Sequence, residues 1–226
     1  MKIAVLGTGM VGRALAGRLA ELGHEVAVGT RDVDATMART ESDAMGNPPY
    51  ASWAHAHPEV RLARFADATA HAELVINATS GNASITALGA AGREHLAGKV
   101  LLDIANPLDY SQGFPPSLFV GNTDSLAEQI QAAFPEARVV KSLNTMNALL
   151  MADPRQLADG DHTVFVSGDD ADAKHVVTEL LQSFGHGDVI DLGDLSTARG
   201  TESLLPAWVR LYGVLGAPMF QFKIVR

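Results

Sequence analysis

Three glycines near the start of the chain carry its clearest chemistry. Gly7, Gly9 and Gly12 fall in GTGMVG at the spacing G-x-G-x-x-G. The apolar run of residues 3–6 precedes them, and in the segment 13–22 that follows Leu15, Ala16, Leu19 and Leu22 recur at helical spacing. In a strand–loop–helix each glycine has its own task. Gly7 lets the chain turn sharply out of the strand, Gly9 lets backbone approach a pyrophosphate, and Gly12 lets the helix lie close on the sheet. The free amides that begin the helix would hold phosphate oxygens, aided by the helix dipole. A loop glycine-rich for packing alone is the competing reading; the strand and helix around it favour a dinucleotide.

The end of the second strand selects among dinucleotides. An NAD site places Asp or Glu about 20 residues past the glycines, on the ribose 2′-hydroxyl. Here the strand closes on Val28-Gly29-Thr30-Arg31, and Thr30, 18 residues beyond Gly12, stands where that carboxylate would be. Thr30 brings a hydroxyl without negative charge, and Arg31 a planar cation suited to a phosphate. The pair favours NADP. Asp32 is the competing reading, as the acidic residue of a strand that ends later, and Arg31 as a plain surface cation is another. Arg39 offers further charge to the same pocket.

Short uncharged polar residues recur where later strands should end: Ala78-Thr79-Ser80-Gly81, Asn106-Pro107-Leu108 and Asn144-Thr145-Met146-Asn147. In open α/β sheets ligands bind at those ends. Such side chains suit the amide and hydroxyls of a nicotinamide ribose, or a flat heterocycle; turn and cap chemistry is the alternative. Asn77 and Asn82 each head an N-x-[ST] sequon, which has no consequence without a secretory signal. His55 and His57 have the spacing of one strand face but no matching carboxylate, which argues against a metal site. Asp169 or Asp170 reads as a helix cap. There is no G-x-S-x-G elbow, and no general base stands at the strand ends. Hydride transfer between two bound cofactors needs none.

The elements that must position these groups alternate. Strands are expected at 3–6, 25–28, 61–65, 74–79, 100–105 and 139–143, with helices at 13–22, 34–44, 83–91 and 124–133, the last starting at or near Asp124. Beyond them come a strand at 163–166, a helix at 171–184, a strand at 189–192 and a helical region, 197–215, bent near Pro206. The closing MFQFKIVR alternates as a strand or an oligomer contact would. This order predicts an α/β fold, a doubly wound Rossmann-type parallel sheet with a small C-terminal α+β extension. The expected division is a dinucleotide-binding domain over 1–150 and a small domain over 151–226 that closes the substrate cleft.

Composition bounds the rest. With 226 residues, 47% hydrophobic, a sizeable core is available. Seventeen basic and 26 acidic residues leave a net charge of −9, which disfavours nucleic acid and anionic membranes as partners. The absence of cysteine excludes disulfides, thiolate metal sites and cysteine nucleophiles. The first residues, MKIAVLG, do not read as a secretory signal, no apolar run is long enough for a membrane span, and a cytoplasmic location is expected.

GTGMVGRALAGRLAELGHEVAVGTRD resembles the N-terminus of the coenzyme F420-dependent NADP oxidoreductase family, and the chain length agrees. The resemblance implies a Rossmann domain that binds NADP and a small C-terminal domain closing over a deazaflavin. It gives Thr8, Gly9, Met10 and Val11 the loop roles, Thr30 with Arg31 the 2′-phosphate role, and places Ala78 where the fourth strand passes the cofactor. VVKSLNT, TVFVSGDDADAKHVV and VIDLGDLSTAR look similar to the cytosolic domain of six-transmembrane metalloreductases, which moves electrons from NADPH to a flavin. The function so implied is hydride transfer between NADPH and coenzyme F420, with the nicotinamide near residues 78–80, Asn106 and Asn144. An NADPH-dependent reductase of FMN, FAD, ferric iron or a quinone is one alternative; a non-catalytic NADP sensor is another. A homodimer is expected, with residues 211–225 as lid, dimer contact or core.

Overall fold

A strand apolar on both faces has to be covered on both faces. In the computed structural model, which describes residues 1–42 and 46–226, β1 (Lys2–Leu6) is such a strand. Its alternation sorts the core: Ile3 and Val5 join one cluster with Leu15 and Leu19 of α1 (Met10–Glu21), and Ala4 and Leu6 join a second with Phe65 and Leu88. Leu15 and Leu19 are fully buried, each worth about 1.5–3 kcal/mol.

The chain continues through β2 (Glu25–Thr30), α2 (Val33–Met37), α3 (Tyr50–Ala56), β3 (Arg61–Arg64), α4 (Phe65–Thr69), β4 (Leu74–Asn77), α5 (Gly81–Ala91), α6 (Arg93–Leu96) and β5 (Val100–Asp103). A two-stranded hairpin, β6 (Leu108–Asp109) and β7 (Ser117–Leu118), leads to α7 (Leu126–Ala133), β8 (Arg138–Ser142) and α8 (Ala148–Ala152). Then come β9 (Thr163–Ser167), α9 (Ala171–Phe184), β10 (Asp188–Asp191), α10 (Ala198–Ser203) and α11 (Leu205–Leu215). The main sheet has the order β10-β9-β8-β5-β4-β1-β2-β3. It is parallel except at β8–β9, which pair antiparallel. The chain winds outward from β1 through β2 to β3, then returns to the other side of β1 as β4. The carboxyl ends of β1 and β4 therefore flank the switch-point crevice where ligands of such sheets sit.

Residues 151–226 contribute β9 and β10 to the same sheet, and Val164, Val177, Leu181 and Phe184 share the hydrophobic cluster of Ile3, Leu15 and Leu19. The expected helix 171–184 is α9, with Asp170 accepting from Ala173 N at 2.9 Å.

Several boundaries differ from expectation. In place of a helix over 34–44 the chain forms α2, with residues 43–45 outside the described ones. Helix α3 follows Pro48-Pro49 directly; proline disrupts a helix interior but is tolerated at its start. His55 is thus on a helix and His57 caps its end, stacked on Trp53 at 4.2 Å, so the two are not on a strand face. α7 is capped by Ser125, the residue after Asp124, in keeping with a start at or near Asp124. The last helical region breaks at Leu204, and Pro206 lies in the first turn of α11. MFQFKIVR forms no strand; Phe222 O accepts from Thr163 N, and Lys223 and Arg226 pair with Asp161 and Asp188.

Candidate functional site

The glycine loop is built by contacts that forbid side chains at two positions and leave the third open. Gly7 has φ +121°, and a Cβ there would stand 2.5 Å from Ala78 O. A Cβ at Gly12 would stand 2.1 Å from Gly7 O. At Gly9 it would meet nothing within 4 Å among the described residues. Gly7 N donates to Gly29 O at 3.0 Å, which ties the loop to β2. Among the described residues no side chain caps the first turn of α1, so Met10, Val11 and Gly12 begin the helix with bare amides beside the crevice. Thr8 and Val11 are half-buried, while Gly9 and Met10 are exposed. A cleft of about 600 Å³ adjoins the loop, lined by Thr8, Gly9, Arg13, Thr36, Arg39 and Tyr50 among others. Arg13 spans it, donating from Nε to Thr8 O (2.8 Å) and from Nη1 to Pro48 O (2.5 Å). Burial pushes the Tyr50 phenol up to about 12.

β2 ends at Thr30, without the longer strand that would bring Asp32 to the ribose. Asp32 instead caps α2, its Oδ1 accepting from Ala35 N at 2.9 Å. Thr30 is buried. Its hydroxyl lies 2.8 Å from Thr36 Oγ1, which itself donates to Asp32 O, so the Thr30 proton goes to Thr36. Arg31 is exposed and makes no hydrogen bond or ion pair among the described residues; Arg39 is likewise exposed. Of the expected Thr30–Arg31 pair, only Arg31 presents its polar group outward, since the Thr30 hydroxyl is turned to Thr36.

The other strand tips converge, but much of their polarity is turned inward. Thr79 Oγ1 donates to Asn77 Oδ1 (2.7 Å), while Ser80 is exposed. Asn106 Nδ2 donates to Asn144 O (2.9 Å); Asn144 Nδ2 donates back to Asn106 Oδ1 (3.0 Å) and to Thr201 O (3.1 Å). Both Asn144 amide hydrogens are so occupied, and its Oδ1 remains available among the described residues. Ala78 N donates to Leu6 O at 2.9 Å, which sets Ala78 against the loop glycines.

The sequence reading missed the charges beneath these tips. Lys141, Asp103 and Glu202 are buried together: Lys141 Nζ lies 2.7 Å from Asp103 Oδ2, 2.8 Å from Glu202 Oε1 and 2.5 Å from Ala105 O. Burial alone would drive the ammonium toward neutrality, but the two carboxylates outweigh it and raise Lys141 above its ordinary value. Asp103 Oδ1 also accepts from Asn77 Nδ2 (2.8 Å), and Glu202 accepts from Leu126 N and Ala127 N at the start of α7. One signal was present. VLLDIA and VVKSL each hold a single charge in an apolar strand, of opposite sign, and buried charges are paired. Gly81 was also unassigned; a Cβ there would stand 2.1 Å from Asn106 O.

A larger groove, about 820 Å³, is lined by Glu128, Glu136, Asp169, Asp170 and Asp194 and holds none of the expected site residues. Its carboxylates would repel a phosphate-bearing ligand. Among the described residues no three His, Asp or Glu side chains gather as metal ligands, and no helix is long and apolar enough to cross a membrane.

Residues 2–107 match the family model for NADP oxidoreductase, coenzyme F420-dependent. The F420-dependent NADP reductase of Methanothermobacter marburgensis is 31% identical over 222 residues, an alignment that covers 93% of this chain and 92% of that protein. The chain belongs to this family. A crystal structure assigned to an F420-dependent NADP-reductase of Arthrobacter sp. FB24 shares 64% identity with this member, with a TM-score of 0.95 over the whole of both chains. Metalloreductase STEAP3 of Rattus norvegicus is 31% identical over 212 residues; the match takes in 92% of this chain but 38% of the metalloreductase's own length. A reductive aminase of Aspergillus terreus in complex with NADPH shares the fold, at 20% identity and a TM-score of 0.62.

Proposed function

We propose that this member of the family transfers a hydride between NADPH and coenzyme F420. The observation that carries the reading is the glycine-lined start of α1 beside the β1–β4 crevice, uncapped by any side chain among the described residues, with an exposed guanidinium at Arg31 that has no partner among them and the nearby carboxylate of Asp32 withdrawn as a helix cap. The amides of Met10, Val11 and Gly12 would hold the pyrophosphate, with Gly7 and Gly9 shaping the approach and Thr8 bordering it. Arg31 would hold the 2′-phosphate; Thr30, through Thr36, would fix the turn that presents Arg31. The nicotinamide would lie by Ala78, Thr79 and Ser80, with Asn106 and the Asn144 Oδ1 beside it. NADPH supplies the hydride when bound; the chain's own residues align the two cofactors and exclude water, with no side chain as acid or base. In this reading residues 1–150 hold NADP(H) and residues 151–226 close the cleft over the deazaflavin. The protein works in the cytoplasm as a homodimer, and the exposed Leu211, Tyr212, Val214 and Leu215 of α11 supply a contact.

The similarity to metalloreductase STEAP3 over 92% of the chain favours a second reading, in which the acceptor is a flavin, ferric iron or a quinone. Mixing the protein with NADPH and each acceptor in turn decides between them. Bleaching of F420 absorbance is expected. Consumption of NADPH with FMN, iron or quinone while F420 stays oxidised would favour the second reading, and NADPH binding without turnover would leave a sensor.

A further inference from the structure

We infer that Lys141 is a positioning residue for hydride transfer, holding the strand tips and the C-terminal helix α10 in one arrangement through Asp103 and Glu202. The inference rests on the proposed function for what is positioned, and on hydrogen bonds for how. An ammonium has three hydrogens, and all three find acceptors: Asp103 Oδ2, Glu202 Oε1 and Ala105 O. Each leads to a tip. Ala105 directly precedes Asn106. Asp103 binds Asn77, which accepts from Thr79. Glu202 directly follows Thr201, whose carbonyl accepts from Asn144. Asn144 itself follows Leu143, a non-glycine residue at φ +60°, a conformation that persists only where its surroundings impose it. Lys141, two residues upstream on β8, is the fixed point from which that turn departs.

A buried ion group contributes little net stability, because desolvation offsets the attraction, whereas it does restrict its members to one geometry. Here the restricted members are β4, β5, β8, the start of α7 and α10. The glycine loop and Arg31 make no hydrogen bond to the group among the described residues. Disturbing it should therefore misalign the reacting ends of the cofactors without releasing the adenosine end.

Glu202→Gln tests this. The substitution keeps side-chain size and one acceptor oxygen, but turns an NH₂ toward either the ammonium or the α7 amides. Expected are a fall of about tenfold or more in kcat with F420, a change of about twofold or less in the NADPH Kd, and faster hydrogen exchange over residues 198–203 with β1 unaffected. The double variant Lys141→Met/Glu202→Gln removes the cation with one of its two facing charges, leaving Asp103 held by Asn77 Nδ2 and Ala105 N, and is expected to show the same split. A folded variant of either kind with wild-type kcat would overturn the assignment. So would equal losses of kcat and NADPH affinity, or failure of both variants to fold, since Lys141 would then serve folding alone. If the wild-type protein reduces no acceptor, the proposed function falls by itself; the exchange arm still decides, and unchanged exchange over 198–203 in Glu202→Gln would overturn the role of Lys141.

Discussion

The carboxyl edge of the sheet has two halves of opposite character. On the β1–β2 side the polar groups are left open: among the described residues α1 starts without a side-chain cap, and the exposed Arg31 has no partner. On the β5–β8 side nearly everything is closed. α7 is capped twice, by Ser125 and by the carboxylate of Glu202, and Lys141 has all of its donors engaged. A helix start that lacks a protein anion is suited to a ligand's anion; one that already holds a buried glutamate is not. Under the proposed function, the difference would separate a half that binds from a half that aligns.

The largest expected effect strikes the closed half. Lys141→Met would leave Asp103 and Glu202 facing each other without their cation, and a loss of about 3–5 kcal/mol in unfolding free energy is expected, read by urea denaturation. Replacing the open half's Arg31 should leave the same midpoint unchanged, and equal losses would erase the contrast.

Acid should also act on the β8–β10 flank first. Burial pushes the His186 imidazole down to about 4, and its Nε2 lies 3.1 Å from Met151 O. Since the folded value lies below the unfolded value of 6.5, the unfolded chain binds the proton more readily in between. The stability is full above about pH 6.5 and falls as the pH drops toward 4, by about 3 kcal/mol in all. Denaturation at about pH 7 and about pH 4 should show that slope, and His186→Gln should flatten it.

Within the open half the glycines should differ. Gly12→Ala drives a methyl into the Gly7 carbonyl, and a cost of about 1–3 kcal/mol is expected, together with loss of NADPH binding. Gly9→Ala meets open space at an ordinary backbone conformation, so stability should change by less than about 0.5 kcal/mol. NADPH affinity should still fall, because the methyl would stand where the pyrophosphate approaches. Thermal melts with and without NADPH check both.

The open half was legible in the sequence because its parts are local. A strand, three spaced glycines, a helix and the Thr30–Arg31 pair lie within 31 residues, and each part constrains the next. The closed half was not, because Asp103, Lys141 and Glu202 are far apart in the chain and meet only once strand order is known. The same holds for β9: a strand was expected at 163–166, but its antiparallel pairing with β8 depends on how residues 143–162 return the chain. α3 was hidden for a local reason, since Pro48-Pro49 reads as a breaker and here precedes a helix. Thr30 was placed correctly at the strand end, yet its hydroxyl turned to Thr36, a partner that strand periodicity does not reveal.

The central claim is that Arg31 meets a phosphate on the ribose while no carboxylate does. Fluorescence titration of the wild-type protein and of Arg31→Glu with NADPH and NADH tests it most directly. The wild-type protein should bind NADPH at least about tenfold more tightly than NADH, and Arg31→Glu should abolish that preference while leaving NADH affinity nearly unchanged. Equal affinity of the wild-type protein for the two nucleotides, or an undiminished preference in Arg31→Glu, would contradict the account.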